Sequence, residues 1–298
     1  MPEIMIIGAA IVDVLVRPAD EAVFASGSYP AEDIHMSAGA DALNEATVLA
    51  GLGADVQLET VLGKDQAGKI ILSHIRDKGI ALREGCIKEN IKTGINVVLV
   101  REDGSRSFLT NRNGSLRVLR IKDIAMPFPR DVKILCFASI FVFPHVGVRE
   151  LEIIFRQAKS QDIIVCADMT KCKNKETAEE LAPAFQYVDY LFPNDEEAML
   201  LTGESSVEAA AESLKNAGVK NVIIKCGRKG CYVKREAEAY WMPAVEGTTC
   251  IDTTGAGDSF VAGFLYALSR GEEIAACARY ANQCGAHAVG VIGATEWL

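Results

Sequence analysis

Asp252-Thr253-Thr254-Gly255-Ala256-Gly257-Asp258-Ser259-Phe260, running on as Val261-Ala262-Gly263-Phe264-Leu265, places a glycine-rich turn, a carboxylate and an apolar helical run in one short window. Glycines let backbone amides converge without Cβ obstruction, and a helix starting behind them points its unpaired N–H groups at an anion. Asp258 sits where a phosphate would repel it, so a functional Asp258 needs chemistry rather than binding. The simplest is a general base that takes a proton from an acceptor hydroxyl while the amides hold developing charge. On residue types alone, such a turn is more often a tight connection, and both readings stand until the rest of the chain is weighed.

Outward from this turn, short β-branched runs at 4–7, 56–61, 97–100, 134–137, 163–165, 190–192 and 222–224 alternate with helical patterns at 42–52, 69–78, 149–159 and 206–217. That rhythm predicts an α/β fold, a mostly parallel central sheet with helices on both faces. Two segments break it: 11–17, with Val12, Val14 and Val16 alternating, and 94–109, which turns at Asp103-Gly104. They predict paired strands of a small second sheet. Residues 1–298 show no internal repeat, low-complexity tract or interdomain linker, so one domain is expected.

The net charge of −9 argues against nucleic acid or an anionic membrane as partner, since either favours a basic surface. Met1-Pro2-Glu3 leads into an apolar run with no basic segment or small-residue cleavage site. The longest apolar run, 134–143, is broken by Ser139 and stopped by Pro144, short of the ~20 residues that span a membrane. A cytoplasmic protein is predicted. The nine cysteines form no Cys-x-x-Cys pair and several lie in strand-like runs, which predicts buried free thiols.

Gly63-Lys64-Asp65-Gln66-Ala67-Gly68-Lys69 fits a phosphate-binding P-loop, yet Ile70 stands where the Mg²⁺-binding Ser or Thr is required, so a plain strand-to-helix turn is expected. Gly8-Ala9-Ala10-Ile11 lacks the glycine fingerprint of a nicotinamide-dependent oxidoreductase. Asn194 and Glu197, one turn apart after a strand, read either as a helix cap or as two oxygen ligands for Mg²⁺. Asp13 reads as a solvated strand residue or a hydroxyl acceptor, Asp41 as an N-cap, and Asn44 as a surface residue or a group able to donate and accept. Lys225 could place a point charge on a phosphate or snorkel from a strand end, and Asn282 could simply pack in an Ala-rich helix.

Taken in order from Gly8 to Gly293, these segments resemble the PfkB or ribokinase-like family of carbohydrate and nucleoside kinases, whose C-terminal signature residues 252–260 match at nearly every position. The resemblance implies Asp258 as catalytic base, with the amides of Gly255, Ala256 and Gly257 as anion hole. Ser37-Ala38-Gly39-Ala40-Asp41-Ala42-Leu43-Asn44-Glu45-Ala46 is similar to the first signature, with Ala40 in place of its second glycine. It implies that Gly39, Asp41 and Asn44 bind the acceptor together with Asp13. Asn194 and Glu197 fit the family's Asn-x-x-Glu motif for Mg²⁺. Residues 223–230 resemble the strand and turn beside the nucleotide, implying Asn194, Lys225, Gly227 and Gly230 at ATP, with Lys225 where Thr is common, and Asn282 near the adenine. Relatives that use K⁺ imply a candidate site at Asp252, Thr254 and the carbonyls of Ala288, Val291 and Gly293, with Trp297 where some end the site with serine.

What the resemblance implies is a ribokinase-like fold with a β lid drawn from about 11–35 and 94–112, the lid also being a homodimer surface. The implied reaction is transfer of the ATP γ-phosphoryl group to a hydroxyl of a ribose- or fructose-like sugar. A nucleoside acceptor, for which the lid segments offer Phe24, Tyr29 and Phe108, and a non-catalytic ligand sensor are the alternatives. Arg106, Arg112 and Asn113 near the lid could read a hydroxyl, a phosphate or nothing.

Overall fold

The computed structural model describes residues 2–298 apart from Gly104 and Ala237, so one residue of the turn expected at Asp103-Gly104 lies outside the described residues. Nine strands form the large sheet, in the order Ala239–Met242, Cys231–Lys234, Asn221–Lys225, Tyr190–Phe192, Ile164–Met169, Ile134–Ile140, Ile4–Ile7, Val56–Glu59 and Ala81–Leu82. Every neighbouring pair from Asn221–Lys225 to Ala81–Leu82 is parallel, whereas Cys231–Lys234 is antiparallel to both of its neighbours.

The parallel strands are unbroken apolar runs because both of their faces are covered. Side chains alternate between two cores: Met5, Ile7, Leu135 and Phe137 pack with helices Val148–Lys159 and Ala178–Phe185, while Ile4, Ile6, Ile134 and Cys136 pack with Asp41–Gly51, Ala256–Ser269 and Ile274–Val289. The expected helices are present within three residues of their predicted ends. Three strands run on beyond expectation, to Ile140, Met169 and Lys225, and the extensions carry polar residues, Ser139, Asp168 and Lys225, toward one end of the sheet.

The second sheet has the order Asp33–Gly39, Ile11–Arg17, Gly94–Val100 and Arg106–Thr110. The strand Asp33–Gly39 starts within the expected 11–35 range and runs on into the first signature segment, pairing Ser37 with Asp13. One face of this sheet carries Asp13, Asn96, Arg106, Phe108 and Thr110, as the register of the pairs requires. The other face is aliphatic. Its base, at Val14, Ala38 and Ile95, packs on the core beside helix Gln66–Asp77, and its tip leaves Ile34 64%, Met36 63% and Leu109 60% exposed.

Candidate active site

Parallel strands collect ligands at their carboxyl ends. There the sheet opens into a cleft of about 990 Å³, lined among others by Asp41, Asp168, Glu197, Lys225, Asp258 and Asn282. Gly255 makes the turn possible: its φ is +70°, and a Cβ on it would lie 2.6 Å from Ala294 Cα. Helix Ala256–Ser269 starts directly behind, its first i→i−4 bond running from Ser259 N to Gly255 O at 2.8 Å. Of the expected anion-hole amides, that of Ala256 donates to Thr253 O at 3.3 Å, while that of Gly257 precedes the first i→i−4 bond.

Asn44 Nδ2 donates to Asp258 Oδ2 at 2.7 Å, joining the helix starts of both signatures. Gly39 sits so close to Asp13 that a Cβ there would lie 2.5 Å from Asp13 Oδ2 and 4.0 Å from Asn44 Oδ1. Asp13, Gly39, Asn44 and Asp258 therefore form one polar track from the small sheet to the turn. Thr110 Oγ1 donates to Asn96 Oδ1 beside it. Asp41 is the first helical residue and not the N-cap: Ala40 takes that place at φ 83°, and Ser139, itself at φ 60°, donates its hydroxyl to the Asp41 carboxylate. Non-glycine residues held in such backbone cost about 1–3 kcal/mol and collect at functional sites. Arg112 and Asn113 stay exposed.

The acids of the cleft face Lys225, whose Nζ lies 2.8 and 2.6 Å from the two oxygens of Asp168. Burial pushes Asp258 up from the ordinary carboxylate range, the Asp41 charge adds to this, and the Asn44 bond opposes it. Asp41 is raised by burial and then by Asp168. Glu197 is raised to about 7 by burial, against the pull of Lys225 and the Asn194 amide. Asp168 is raised by burial although Lys225 opposes it, and Lys225, against its own burial, is held above its usual value by Asp168 and Glu197.

Asn194 and Glu197 realise the cap reading. Asn194 Oδ1 accepts from Glu197 N at 2.8 Å, and Glu197 Oε2 accepts from Asn194 N at 2.8 Å. The outer oxygen, Glu197 Oε1, has no hydrogen-bond partner among the described residues. No three acidic, His or Cys side chains converge on a metal among the described residues. This donor chemistry fits Mg²⁺, which keeps waters and completes its shell with substrate phosphates rather than an all-protein cage. Lys225 reaches the same region across an isolated bridge to Asn194, with Gly227 and Gly230 framing the next turn. Asn282 Nδ2 is spent on the carbonyls of Pro243 at 2.9 Å and Met242 at 3.3 Å, so it anchors a cleft wall.

The residues expected to hold K⁺ do come together, with Gly293 N donating to Asp252 Oδ2 at 3.1 Å and Val291 N to Ala288 O at 3.4 Å. Asp252 Oδ1, however, accepts from Thr254 N at 3.0 Å, Thr254 Oγ1 at 2.7 Å and Arg106 Nη2 at 2.8 Å. With a guanidinium against the carboxylate, the set does not fit a cation as well. Burial works against the Asp252 charge, yet the bonds from Thr254, Gly293 and Arg106 outweigh it and bring its carboxyl down to about 2. At the P-loop look-alike, Asp65 accepts from Gly68 N at 2.9 Å and Thr93 N at 3.0 Å, so a carboxylate already fills the place of an anion.

Sequence reasoning missed Asp168 and Glu45. Glu45 is fully buried on helix Asp41–Gly51 and neither carboxylate oxygen has a hydrogen-bond partner among the described residues. Burial, reinforced by Asp168 and Asp258, puts it well above its ordinary 4.5. The folded state thus binds a proton that the unfolded state gives up, and stability falls as pH rises above about 4.5. Glu45→Leu is expected to stabilise the protein by about 1–4 kcal/mol at pH 8 and by less at pH 5. Urea midpoints at both pH values check this, and an equal gain at the two would remove Glu45 as the cause.

Residues 1–298 match the profile described as pfkB family carbohydrate kinase. An ATP-dependent ribose-1-phosphate kinase of Halopiger xanaduensis is 28% identical over 283 residues, 95% of this chain and 90% of its own. Among solved structures, adenosine kinase from Sinorhizobium meliloti superposes with TM-score 0.84 at 24% identity, over 98% of this chain and 95% of that one. Arabidopsis thaliana ribokinase, complexed with ribose and ATP, superposes with TM-score 0.82 at 24% identity, over 100% of this chain and 95% of that one. These likenesses establish a ribokinase-like fold. With both signatures converging on one cleft and the profile covering the whole chain, the protein belongs to the pfkB family of carbohydrate kinases.

Proposed function

We propose the following division of labour for this ATP-dependent sugar kinase. The acceptor, a ribose- or fructose-like sugar or its phosphate, lies along Asp13, Gly39, Asp41 and Asn44, and Asp258 takes the proton from its attacking hydroxyl. The turn of Gly255, Ala256 and Gly257 offers its amides to the transferring phosphoryl group, while Lys225, steadied by Asp168, places a positive charge beside the nucleotide phosphates. Glu197, with Asn194, would hold Mg²⁺, which when bound neutralises phosphate charge. Phosphoryl transfer asks for little more than such positioning and charge stabilisation.

The observation that supports this reading is the 2.7 Å bond from Asn44 to Asp258, which joins the residue proposed to read the acceptor hydroxyl to the proposed base beside the Gly255 turn. A coupled ADP-release assay across pentoses, hexoses, sugar phosphates and nucleosides tests it. Turnover of a sugar or sugar phosphate is expected. Phe108, 59% exposed on the acceptor-facing side of the small sheet, favours nucleosides as the second class to assay. Ligand binding without turnover of any class would leave a sensor.

The small sheet is the lid, and its aliphatic tip is the surface on which two copies pair. Met36→Glu is expected to shift the sedimentation equilibrium from dimer to monomer, and a wild-type protein that sediments as a monomer would remove the proposal. The nine thiols are all unpaired, which suits the reducing cytoplasm.

A further inference from the structure

Arg106 opens the outermost strand of the small sheet, on the same face as Asp13, Phe108 and Thr110. It leaves that sheet to grip a loop 146 residues later. Its Nη2 lies 2.8 Å from Asp252 Oδ1 and its Nη1 2.9 Å from Thr254 Oγ1, a two-pronged arrangement that a planar guanidinium makes and an ammonium cannot copy. Asp252 in turn holds Thr254 N at 3.0 Å and Gly293 N at 3.1 Å, and the following Ala294 packs directly against Gly255. Both loops that border the anion turn are thus tied to one carboxylate, and that carboxylate is tied to the small sheet.

An uncompensated Asp252 so close to the turn would oppose the negative charge of a phosphoryl group. A bound monovalent cation is one remedy, but the guanidinium stands where that ion would be needed. We propose that Arg106 is the resident counter-ion of Asp252, carried by the small sheet, so that closing this sheet over the acceptor and neutralising and setting the anion turn are a single event. Arg106 is a positioning residue in this account, because it acts on the turn through Asp252 and Thr254. The inference rests on the turn being the transfer site. It makes the enzyme indifferent to K⁺ and sensitive to ionic strength of any kind, since the Arg106 side chain is 36% exposed and salt screens the pair.

The test compares wild type, Arg106→Gln and Arg106→Lys in KCl and in tetramethylammonium chloride of equal ionic strength. Acceptor kinetics and thermal melting of the unliganded protein are read in each. Wild type is expected to melt at the same temperature and turn over at the same rate in both salts. Arg106→Gln is expected to lose about tenfold or more in kcat, the scale of a typical coupling between two sites. It should regain part of that loss on adding free guanidinium and melt higher in KCl than in tetramethylammonium chloride, the vacated site now admitting the ion. Arg106→Lys should fall between the two. A wild type whose melting point rises selectively in KCl would overturn the inference, as would an Arg106→Gln variant altered in KM alone. Melting is read without substrate, so the inference stands or falls on it even if every acceptor in the activity screen fails.

Discussion

Asp258→Asn is expected to lower kcat by about 10²–10⁴-fold, the usual contribution of a positioned base, while leaving ATP binding intact. The substitution keeps shape and an acceptor oxygen for Asn44 Nδ2, so the 2.7 Å contact between the two signatures survives. What it removes is basicity. The environment matters as much as the residue, because burial and the Asp41 charge raise Asp258 toward the range where a base is both free to accept a proton and strong enough to hold it. Wild-type activity should therefore climb with pH along a limb displaced well above that of an ordinary carboxylate. Since Asp41 is the second cause of the displacement, Asp41→Asn should move the limb to lower pH even as it weakens acceptor binding. Steady-state kinetics across pH and calorimetric titration with ATP check both statements. A variant Asp258→Asn that keeps wild-type turnover would assign the proton to another group.

The parts of this site legible in the sequence are those built from contiguous residues. Gly255 to Asp258 could be read because a turn, its amides and the carboxylate are neighbours in the chain, and Asn44 because it sits one helical turn behind its own glycine turn. Asp168 could not be read this way. Its strand looked finished before the charge, and the charge makes sense only through Lys225, 57 residues away on another strand. Glu45 follows Asn44 on a helical stretch where a charged residue normally faces water, and only the packing of Ala256–Ser269 and the sheet around that helix shows it buried. The pair Asn194 and Glu197 was open to two readings because a capping box and a half-set of metal oxygens use the same spacing, and in the fold one oxygen of each is committed to the cap. The Arg106 contact is a purely tertiary fact: a residue of the small sheet and a signature residue meet only after two sheets have formed. For the fold the same logic holds. Most parallel strands declared themselves by apolar runs, whereas the two-residue Ala81–Leu82 and the far half of Asp33–Gly39, which alternates polar and apolar residues on an exposed sheet edge, did not.

Lys225→Met separates what the cleft needs for stability from what it needs for chemistry. The Lys225 and Asp168 side chains are 14% and 6% exposed, so removing the lysine leaves a carboxylate enclosed without its partner. Breaking such a pair costs about 3–5 kcal/mol, far more than the pair contributes in net terms. The sign with pH follows from Asp168, which burial already raises and which would rise further without Lys225. The variant must bury a charge above that raised value and can take up a proton below it, so its deficit is expected to shrink as pH falls toward 5. Urea unfolding at pH 8 and pH 5 measures this, and a deficit independent of pH would mean that packing of the lysine stem, not the ion pair, is what was lost. Adding Asp168→Leu should restore most of the stability, because two apolar side chains replace a pair that cost as much to desolvate as it returned. It should not restore transfer if Lys225 carries positive charge to the phosphates: ATP affinity and kcat of the double variant are expected to stay low in a protein as stable as wild type. Recovery of kcat together with stability would make the pair scaffolding alone, and the charge that the transferring group requires would then fall to the anion turn and the metal.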